Sequence, residues 1–132
     1  MIPRILLALV CIFACSTIAS ADSLTAGSVW RNQRGSVLSI KQVNADGSFS
    51  GSFVNNAAGY RCKGVPYPAT GYNFPFVSIA TFTVNFTNCY TITVWRGSVL
   101  GAQYNTSWNF VYSPPGQAPQ FESGADSFTR IR

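Results

Sequence analysis

Seven residues near the start of the chain, Trp30-Arg-Asn-Gln-Arg-Gly-Ser36, combine an indole with two short polar side chains. The pattern is typical of a strand that ends in a tight turn. Similar chemistry recurs later in the chain, in Thr91, Thr93, Trp95, Trp108 and Asp126. Hydroxyl, amide and carboxylate groups among indoles can fix the orientation of a small ligand and shield it from water. We therefore expect these residues to converge on one small buried ligand.

Each residue taken alone also has a purely structural interpretation. Asn32 and Ser36 could satisfy their own turn backbone, and Trp95 and Trp108 could be ordinary core residues. Thr91 and Thr93 could be β-branched strand formers. Asp126 is harder to explain in this way, because an acid among apolar strand residues needs a partner.

Composition excludes most kinds of catalytic and metal site. The sequence has no histidine, which removes histidine bases, Ser-His-Asp and Cys-His catalysis and most zinc sites. Its four acids, Asp22, Asp46, Glu122 and Asp126, are too few for a calcium cage or a paired-carboxylate glycosidase. Basic residues occur singly and form no stripe, which argues against nucleic-acid binding. We expect no enzyme, no metal and no cofactor other than a bound ligand.

The first 21 residues have the pattern of a secretory signal. Arg4 precedes an apolar run, Ile5–Cys15, and small residues end at Ala19-Ser20-Ala21. The run is too short for a permanent membrane span. We expect cleavage before Asp22, one domain over residues 22–132, and a secreted or periplasmic mature protein without a membrane anchor. Ile12-Phe13-Ala14-Cys15 also resembles a lipobox, which leaves lipidation at Cys15 as an alternative.

After cleavage two cysteines remain, Cys62 and Cys89. In an oxidising compartment a disulfide between them is the default, worth roughly 3–4 kcal/mol by the chain-entropy argument. A pair of unbridged buried thiols is the alternative.

Short β-type segments alternate with turn residues along residues 22–132. Asp46-Gly47 predicts a tight hairpin, and the prolines of Ser113–Pro119 exclude a central strand there. The stretch Asn56–Pro68 is expected to be irregular. The expected strands are Ser28–Arg31, Ser36–Val43, Ser48–Asn55, Thr70–Tyr72, Val77–Phe86, Tyr90–Leu100, Gln103–Tyr112 and Asp126–Ile131. About eight sequential strands favour an all-β, eight-stranded antiparallel up-and-down β-barrel, with a β-sandwich as the runner-up.

The order and spacing of these segments resemble the avidin and streptavidin family, most of all its short dimeric bacterial members such as rhizavidin. The resemblance covers Trp30 to about Arg130. It rests on Trp30–Ser36, Gly51–Asn56, Cys62–Pro68, Thr91–Trp95, Thr106–Trp108 and Asp126–Phe128. The position of Cys62 and Cys89 is similar to the disulfide of those dimeric members.

The resemblance implies tight biotin binding in the mouth of the barrel, with no reaction. It assigns Asn32 and Ser36 as donors to the ureido oxygen, and Asp126 and Asn55 as acceptors for the ureido N–H groups. Thr91 would reach the carboxylate end, Thr93 the thioether sulfur, and Trp95 and Trp108 would wall the bicyclic ring. Two positions depart from the family pattern: Phe53 stands in place of a tyrosine donor, and Phe86 in place of a third tryptophan.

These departures predict biotin binding weaker than that of the tightest family members. Ser113–Ala125 contains no tryptophan to lend to a neighbouring subunit, so we expect a homodimer whose sites are completed within each chain. One alternative is an avidin-like barrel that has lost biotin binding and serves as a secreted interaction or defence module. A lipocalin-like carrier of a larger apolar ligand is a more distant alternative.

Overall fold

Eight antiparallel strands follow one another along the chain, and the first pairs with the last to close a barrel. This computed structural model describes residues 21–132. The strands are β1 (Val29–Asn32), β2 (Val37–Val43), β3 (Ser48–Val54), β4 (Pro66–Asn73), β5 (Ile79–Phe86), β6 (Thr91–Leu100), β7 (Gln103–Tyr112) and β8 (Gln120–Arg130). A single 3₁₀ turn, Thr87–Cys89, joins β5 to β6. The predicted eight-stranded up-and-down barrel is confirmed, and the β-sandwich is wrong.

The predicted signal sequence lies outside the described residues, apart from Ala21, and so does Cys15. Within residues 21–132, no helix has the length and hydropathy needed to cross a membrane.

The inward side chains form the core at the end of the barrel where β1 begins and β8 ends. Strand alternation places Leu38 and Ile40 inside, as their spacing in β2 predicts. Trp30, Phe82, Tyr104 and Phe128 join them, each almost fully buried. Leu24, from the segment before β1, is also buried there and hydrogen-bonds through its backbone to Asn73. This end of the barrel is therefore filled, and we call it the closed end.

The hairpin predicted at Asp46-Gly47 joins β2 to β3. Gly47 has a φ of 93°, which only glycine adopts easily, and a Cβ there would lie 2.2 Å from the carbonyl oxygen of Asn73. Its neighbour Asp46 accepts hydrogen bonds from both the backbone and the hydroxyl of Ser48.

The fourth strand is longer than predicted, because it begins at Pro66 and not at Thr70. Prolines argue against a central strand, since they lack the N–H that a ladder needs. Up to Pro68, however, β4 pairs only with β3, and its pairing with β5 starts at Ala69. No residue of β5 pairs with Pro66 or Pro68, so the N–H groups that these prolines lack would not have bonded to β5.

The eighth strand is also longer than predicted and begins at Gln120 instead of Asp126. The inward positions of its added half are Gln120, Glu122 and Gly124, which form no apolar alternation. They face the open part of the barrel rather than the core, so the hydrophobic signal used for prediction is missing there. The other strand ends differ from prediction by at most two residues, and β7 matches fully.

Candidate functional site

Three neighbouring strands, β6, β7 and β8, form one wall of a cavity at the end of the barrel opposite the closed end. Directly paired inward residues on these strands make four rows. From the closed end to the mouth the rows are Gly97–Thr106–Asp126, Trp95–Trp108–Gly124, Thr93–Phe110–Glu122 and Thr91–Tyr112–Gln120. The wall therefore changes from polar at the floor, through aromatic in the middle, to mixed at the mouth.

Asp126 provides the charge at the floor of the cavity. Its side chain is 5% exposed. One carboxylate oxygen accepts from Gln33 Nε2 at 2.9 Å and from Arg34 Nε at 3.2 Å, and the other accepts from Trp95 Nε1 at 2.9 Å. A carboxylate has about four lone-pair sites, so one remains for a ligand donor. The partner that this acid requires is thus a set of three protein donors.

Asn32 and Ser36 present unused donors to the cavity from the end of β1 and the turn that follows it, next to β8. The amide oxygen of Asn32 accepts from the backbone N–H groups of Arg34 and Ser36, at 3.0 and 2.9 Å. The hydroxyl oxygen of Ser36 accepts from the backbone N–H of Asn56 at 2.9 Å. Because the acceptor atoms are held by backbone, the Asn32 NH₂ and the Ser36 O–H are left to donate. The turn thus fixes two donors beside one another.

Aromatic rings form the middle of the cavity. Trp95 stacks on Phe82 with ring centroids 4.5 Å apart and planes 4° apart, and Phe53 packs against Trp95 at 4.7 Å. The hydrogen bond from Trp95 to Asp126 fixes the second edge of its indole. These contacts leave the ring little freedom to move.

Trp108 lies beside Gly124 on the neighbouring strand and stacks on Phe110 at 5.6 Å. A Cβ on residue 124 would lie 2.4 Å from the Trp108 ring, so only glycine lets the indole lie flat against β8. Among the described residues, the buried Nε1 of Trp108 has no hydrogen-bond partner.

The loop between β3 and β4 covers one side of the mouth. Ala57, Ala58, Gly59 and Tyr60 line the cavity, and the Cys62–Cys89 disulfide ties this loop to the turn before β6. The predicted disulfide is confirmed, and both cysteines are buried. Asn55 begins the loop, and its side-chain oxygen accepts from the backbone N–H of Ala57 at 2.9 Å.

Tyr60 packs edge-on against Phe86, with ring centroids 5.4 Å apart. Its buried hydroxyl faces Thr91 without forming a hydrogen bond to any residue that the structure describes, and burial raises the pKa of this hydroxyl above its ordinary value. Thr91 instead donates to the carbonyl of Cys89 at 2.8 Å.

The cavity has a volume of about 260 Å³, just below the usual range for ligand pockets, and therefore suits a small ligand. Nine of the ten predicted site residues line it: Asn32, Ser36, Phe53, Asn55, Thr91, Thr93, Trp95, Trp108 and Asp126.

The tenth predicted residue, Phe86, is fully buried behind the wall. It packs against Phe53, Tyr60 and Tyr67 at 6.1, 5.4 and 5.2 Å. A phenyl ring is shorter than an indole, and the ring of Tyr60 covers it. The wall position expected of Phe86 is thus occupied by Tyr60.

Sequence patterns did not single out several residues that help to build the cavity. Arg34, Tyr60, Phe110 and Glu122 line it, and Gln33 holds Asp126 from outside. Gln33 also accepts from the backbone N–H of Ser127 at 2.9 Å, so it joins the β1–β2 turn to β8. In the sequence, only the position of Gln33 within the Trp30–Ser36 segment could have indicated this role.

Comparison with known proteins identifies the family that the sequence motifs resemble. The sequence model of the Avidin family matches residues 20–131. The chain belongs to the avidin family. Afifavidin from Afifella pfennigii is 34% identical over 110 residues, which is 79% of this chain and 68% of afifavidin.

Two solved avidin structures are similar to this chain in fold as well as in sequence. The bradavidin2–biotin complex is 40% identical, with a TM-score of 0.76, and the match covers 83% of this chain and 100% of that one. The rhizavidin–biotin complex is 36% identical, with a TM-score of 0.70, and the match covers 83% and 98% of the two chains. The predicted family is confirmed, and rhizavidin is among its relatives.

The arrangement in this avidin can bind a ligand that has a polar head and an apolar body. Two donors and one charged acceptor stand at the floor, and aromatic rings surround the space above them. Among residues 21–132 no group of three or more metal-ligating side chains is found. Recognition here depends on hydrogen bonds that are fixed before the ligand arrives and on exclusion of water.

Proposed function

We propose that this protein binds biotin non-covalently in the cavity and catalyses no reaction. The observation that carries the proposal is the floor of the cavity, where the free donors of Asn32 and Ser36 stand near the Asp126 carboxylate. Similarity to two avidin structures solved with biotin supports the same ligand.

The ureido head of biotin fits the floor in charge and hydrogen-bonding pattern. Its carbonyl oxygen would accept from Asn32 Nδ2 and the Ser36 hydroxyl, and its N–H groups would donate to Asp126 and Asn55. Thr93 would face the thioether sulfur and Thr91 the carboxylate end. Trp95, Trp108 and Tyr60 would surround the bicyclic ring.

Phe53 brings a ring but no hydroxyl to this floor, and it packs among Phe82, Phe86, Trp95 and Phe128. One donor to the ureido oxygen is therefore absent, at a cost on the order of 1–3 kcal/mol. We expect an affinity below that of a site with three donors.

The protein is further proposed to be exported after removal of Met1–Ala21 and to form a homodimer. Export is supported by the charged, apolar and small-residue sequence of the signal and by the disulfide. Dimer formation is supported by an outer patch of exposed apolar side chains: Tyr72 on β4, Phe74 just after that strand, and Ile79 on β5.

Calorimetric titration of the purified mature protein with biotin tests the binding proposal. We expect one site per chain and a rise in the unfolding temperature with biotin. Retention on biotin-agarose, with elution by free biotin, provides an independent measurement. No heat, no thermal shift and no retention would contradict the proposal and favour a barrel that serves as an interaction module.

A further inference from the structure

The closed end of the barrel is filled by residues 22–26, which we call the N-terminal segment. Leu24 is fully buried and belongs to the same core cluster as Trp30. The segment contains no strand or helix, and it joins β1 through an exposed turn at Ala26 and Gly27. Gly27 has a φ of 81°, which glycine adopts without strain. A segment outside the sheet therefore completes the core at this end.

Asn73, the last residue of β4, holds the N-terminal segment through its side chain. Its Oδ1 accepts from the backbone N–H of Leu24, and its Nδ2 donates to the backbone carbonyl of Leu24, both at 2.9 Å. The two bonds resemble the pairing that opposite residues make in an antiparallel sheet, although one partner is a side chain. Asn73 is 5% exposed, so its amide group needs both partners. The closed end thus presents a polar group that is matched to a peptide backbone.

The contacts of the N-terminal segment also define which peptide would fit. Asp22 Oδ2 accepts from the backbone N–H of Gly101 at 3.0 Å, and the backbone nitrogen of Asp22 donates to Ser78 Oγ at 2.9 Å. Two residues later, Leu24 fills apolar space in the core. Thr25 and the residue after it are exposed. The site therefore recognises aspartate two positions before leucine, which we write as Asp-x-Leu.

Separation of the N-terminal segment from the barrel would leave the strand ladder intact. Within residues 21–132, the backbone of residues 22–24 forms no hydrogen bond to the backbone of a strand. The first such bond is that of Gly27, whose N–H donates to the carbonyl of Ile40 at 2.9 Å. In the proposed mature protein Asp22 is the first residue, so the segment would be tethered at one end only. Its release is then a local event that exposes one leucine and frees a few hydrogen bonds.

We propose that the closed end is a peptide-binding site for the pattern Asp-x-Leu, and that the N-terminal segment fills it as a replaceable plug. The tether gives this segment a high effective concentration, so it is the occupant when no other peptide is present. The site lies at the opposite end of the barrel from the cavity and does not depend on biotin.

The test displaces the N-terminal segment by substitution and supplies the peptide separately. Leu24→Asp in the mature protein would place a charge in apolar space, so the segment should leave the site. The peptide Asp-Ser-Leu-Thr-Ala, labelled at its last residue, is then titrated and followed by fluorescence anisotropy. We expect saturable binding, and a rise in the unfolding temperature of about 5 °C at about ten times the dissociation constant. The wild type should bind the peptide at least about 10-fold more weakly, because its own segment competes.

Three controls define the specificity of this binding. Leu100→Asp, at a leucine that is 73% exposed, should behave like the wild type. The peptide Asp-Ser-Asp-Thr-Ala should not bind to the Leu24→Asp protein. Asn73→Ala added to Leu24→Asp should weaken peptide binding at least about 10-fold, because both bonds to the peptide backbone are lost. Circular dichroism identifies the variants that are folded.

Hydrogen exchange of the wild type provides a second measurement, which decides the matter if Leu24→Asp does not fold. The protection factor of the Leu24 amide should be at least about 100-fold lower than those of amides in the middle of β6 and β7, because local release exposes it. Equal protection would overturn the proposal, since the segment would then open only with the whole barrel. A folded Leu24→Asp protein that binds neither peptide, or both equally, would overturn it as well.

Discussion

Asp126 accepts three hydrogen bonds inside the protein before any ligand arrives. Asn32 and Ser36 use their acceptor atoms in the same way and keep their hydrogens for the cavity. At the level of single residues, recognition depends on side chains that other protein groups already hold in a fixed orientation. A change to one of them should therefore affect both stability and binding.

Asp126→Asn should weaken the protein and its site together. An amide cannot accept on both sides, so either Trp95 Nε1 or the pair formed by Gln33 and Arg34 would face an NH₂ group. We expect the free energy of unfolding to fall by about 1–3 kcal/mol and biotin affinity to fall as well. Denaturant unfolding and calorimetry measure the two effects.

Asp46→Asn is the matched control, because Asp46 is an exposed turn residue whose hydrogen bonds to Ser48 an asparagine can also make. An Asp126→Asn protein that matched the control in both measurements would refute the role given to this carboxylate.

Ser36→Ala should reduce biotin affinity by about 10- to 100-fold, the equivalent of one lost hydrogen bond of about 1–3 kcal/mol. The serine is 1% exposed and is one of two proposed ureido donors, so no water can easily replace it. The affinity is measured by competition against labelled biotin. Pro115→Ala, in the exposed loop before β8, should have little effect, and an equal loss in both variants would place the anchor elsewhere.

Single residues were only partly predictable from the sequence. Asn32, Ser36 and Asp126 could be found because short polar groups next to tryptophan, and an acid in an apolar strand, are unusual. Gln33 could not be assigned, since its partners lie more than 90 residues away on β8. Tyr60 was hidden in an irregular loop, and its role as cover for Phe86 follows only from the path of that loop.

Among elements, the β3–β4 loop contains no strand or helix and is held by a covalent bond. The disulfide joins residues 27 positions apart, and both cysteines are buried. Tyr67 donates to the Cys62 sulfur at 3.3 Å, which connects the bond to the core.

A Cys62→Ser/Cys89→Ser protein should lose about 3–4 kcal/mol of unfolding free energy, because its unfolded chain is no longer constrained. Guanidinium unfolding under non-reducing conditions measures this loss. The wild type with added reductant provides the comparison, and it should approach the variant. A variant as stable as the oxidised wild type would contradict the prediction.

The elements were more predictable than the individual site residues, and the exceptions have physical causes. Alternating apolar residues identified β2, and long runs of β-branched and aromatic residues identified β5 and β6. The first half of β8 faces the cavity and so lacks that alternation. Pro66 and Pro68 concealed the start of β4, because only the three-dimensional register shows that β5 is absent beside them.

For the whole molecule, the absence of histidine has a direct consequence for its response to pH. No side chain has an ordinary pKa between 5 and 8, and both cysteines of the described chain are in a disulfide. Burial raises the pKa of Tyr104, whose hydroxyl donates to the carbonyl of Ala80 at 2.9 Å.

The free energy of unfolding should therefore be nearly constant from about pH 6 to 9 and fall above about pH 10. The unfolded chain loses the Tyr104 proton near pH 10 while the folded chain keeps it, so rising pH favours the unfolded state. Urea titrations at several pH values measure the slope. Tyr104→Phe should reduce it, and a steep slope between pH 6 and 8 would contradict this account.

The proposed dimer can be tested through the outer patch of Tyr72, Phe74 and Ile79. Ile79 is 48% exposed, and a lysine there would place a charge among apolar side chains. We expect sedimentation velocity to give a dimer for the wild type and a monomer for Ile79→Lys at micromolar concentration. Gln42→Lys, on β2, should remain dimeric, and a monomeric or tetrameric wild type would contradict the proposal.

The row arrangement of β6, β7 and β8 also has a consequence for how ligand preference could evolve. Side chains alternate along a strand, so each row can change its inward residue while the outward neighbours and the backbone ladder stay the same. A combinatorial library limited to the two outer rows would alter what the mouth accepts and leave the floor intact. Selection could then retune the protein toward new ligands in small steps, without passing through unfolded intermediates. The substitutions of such a library would fall at Thr93, Phe110, Glu122, Thr91, Tyr112 and Gln120.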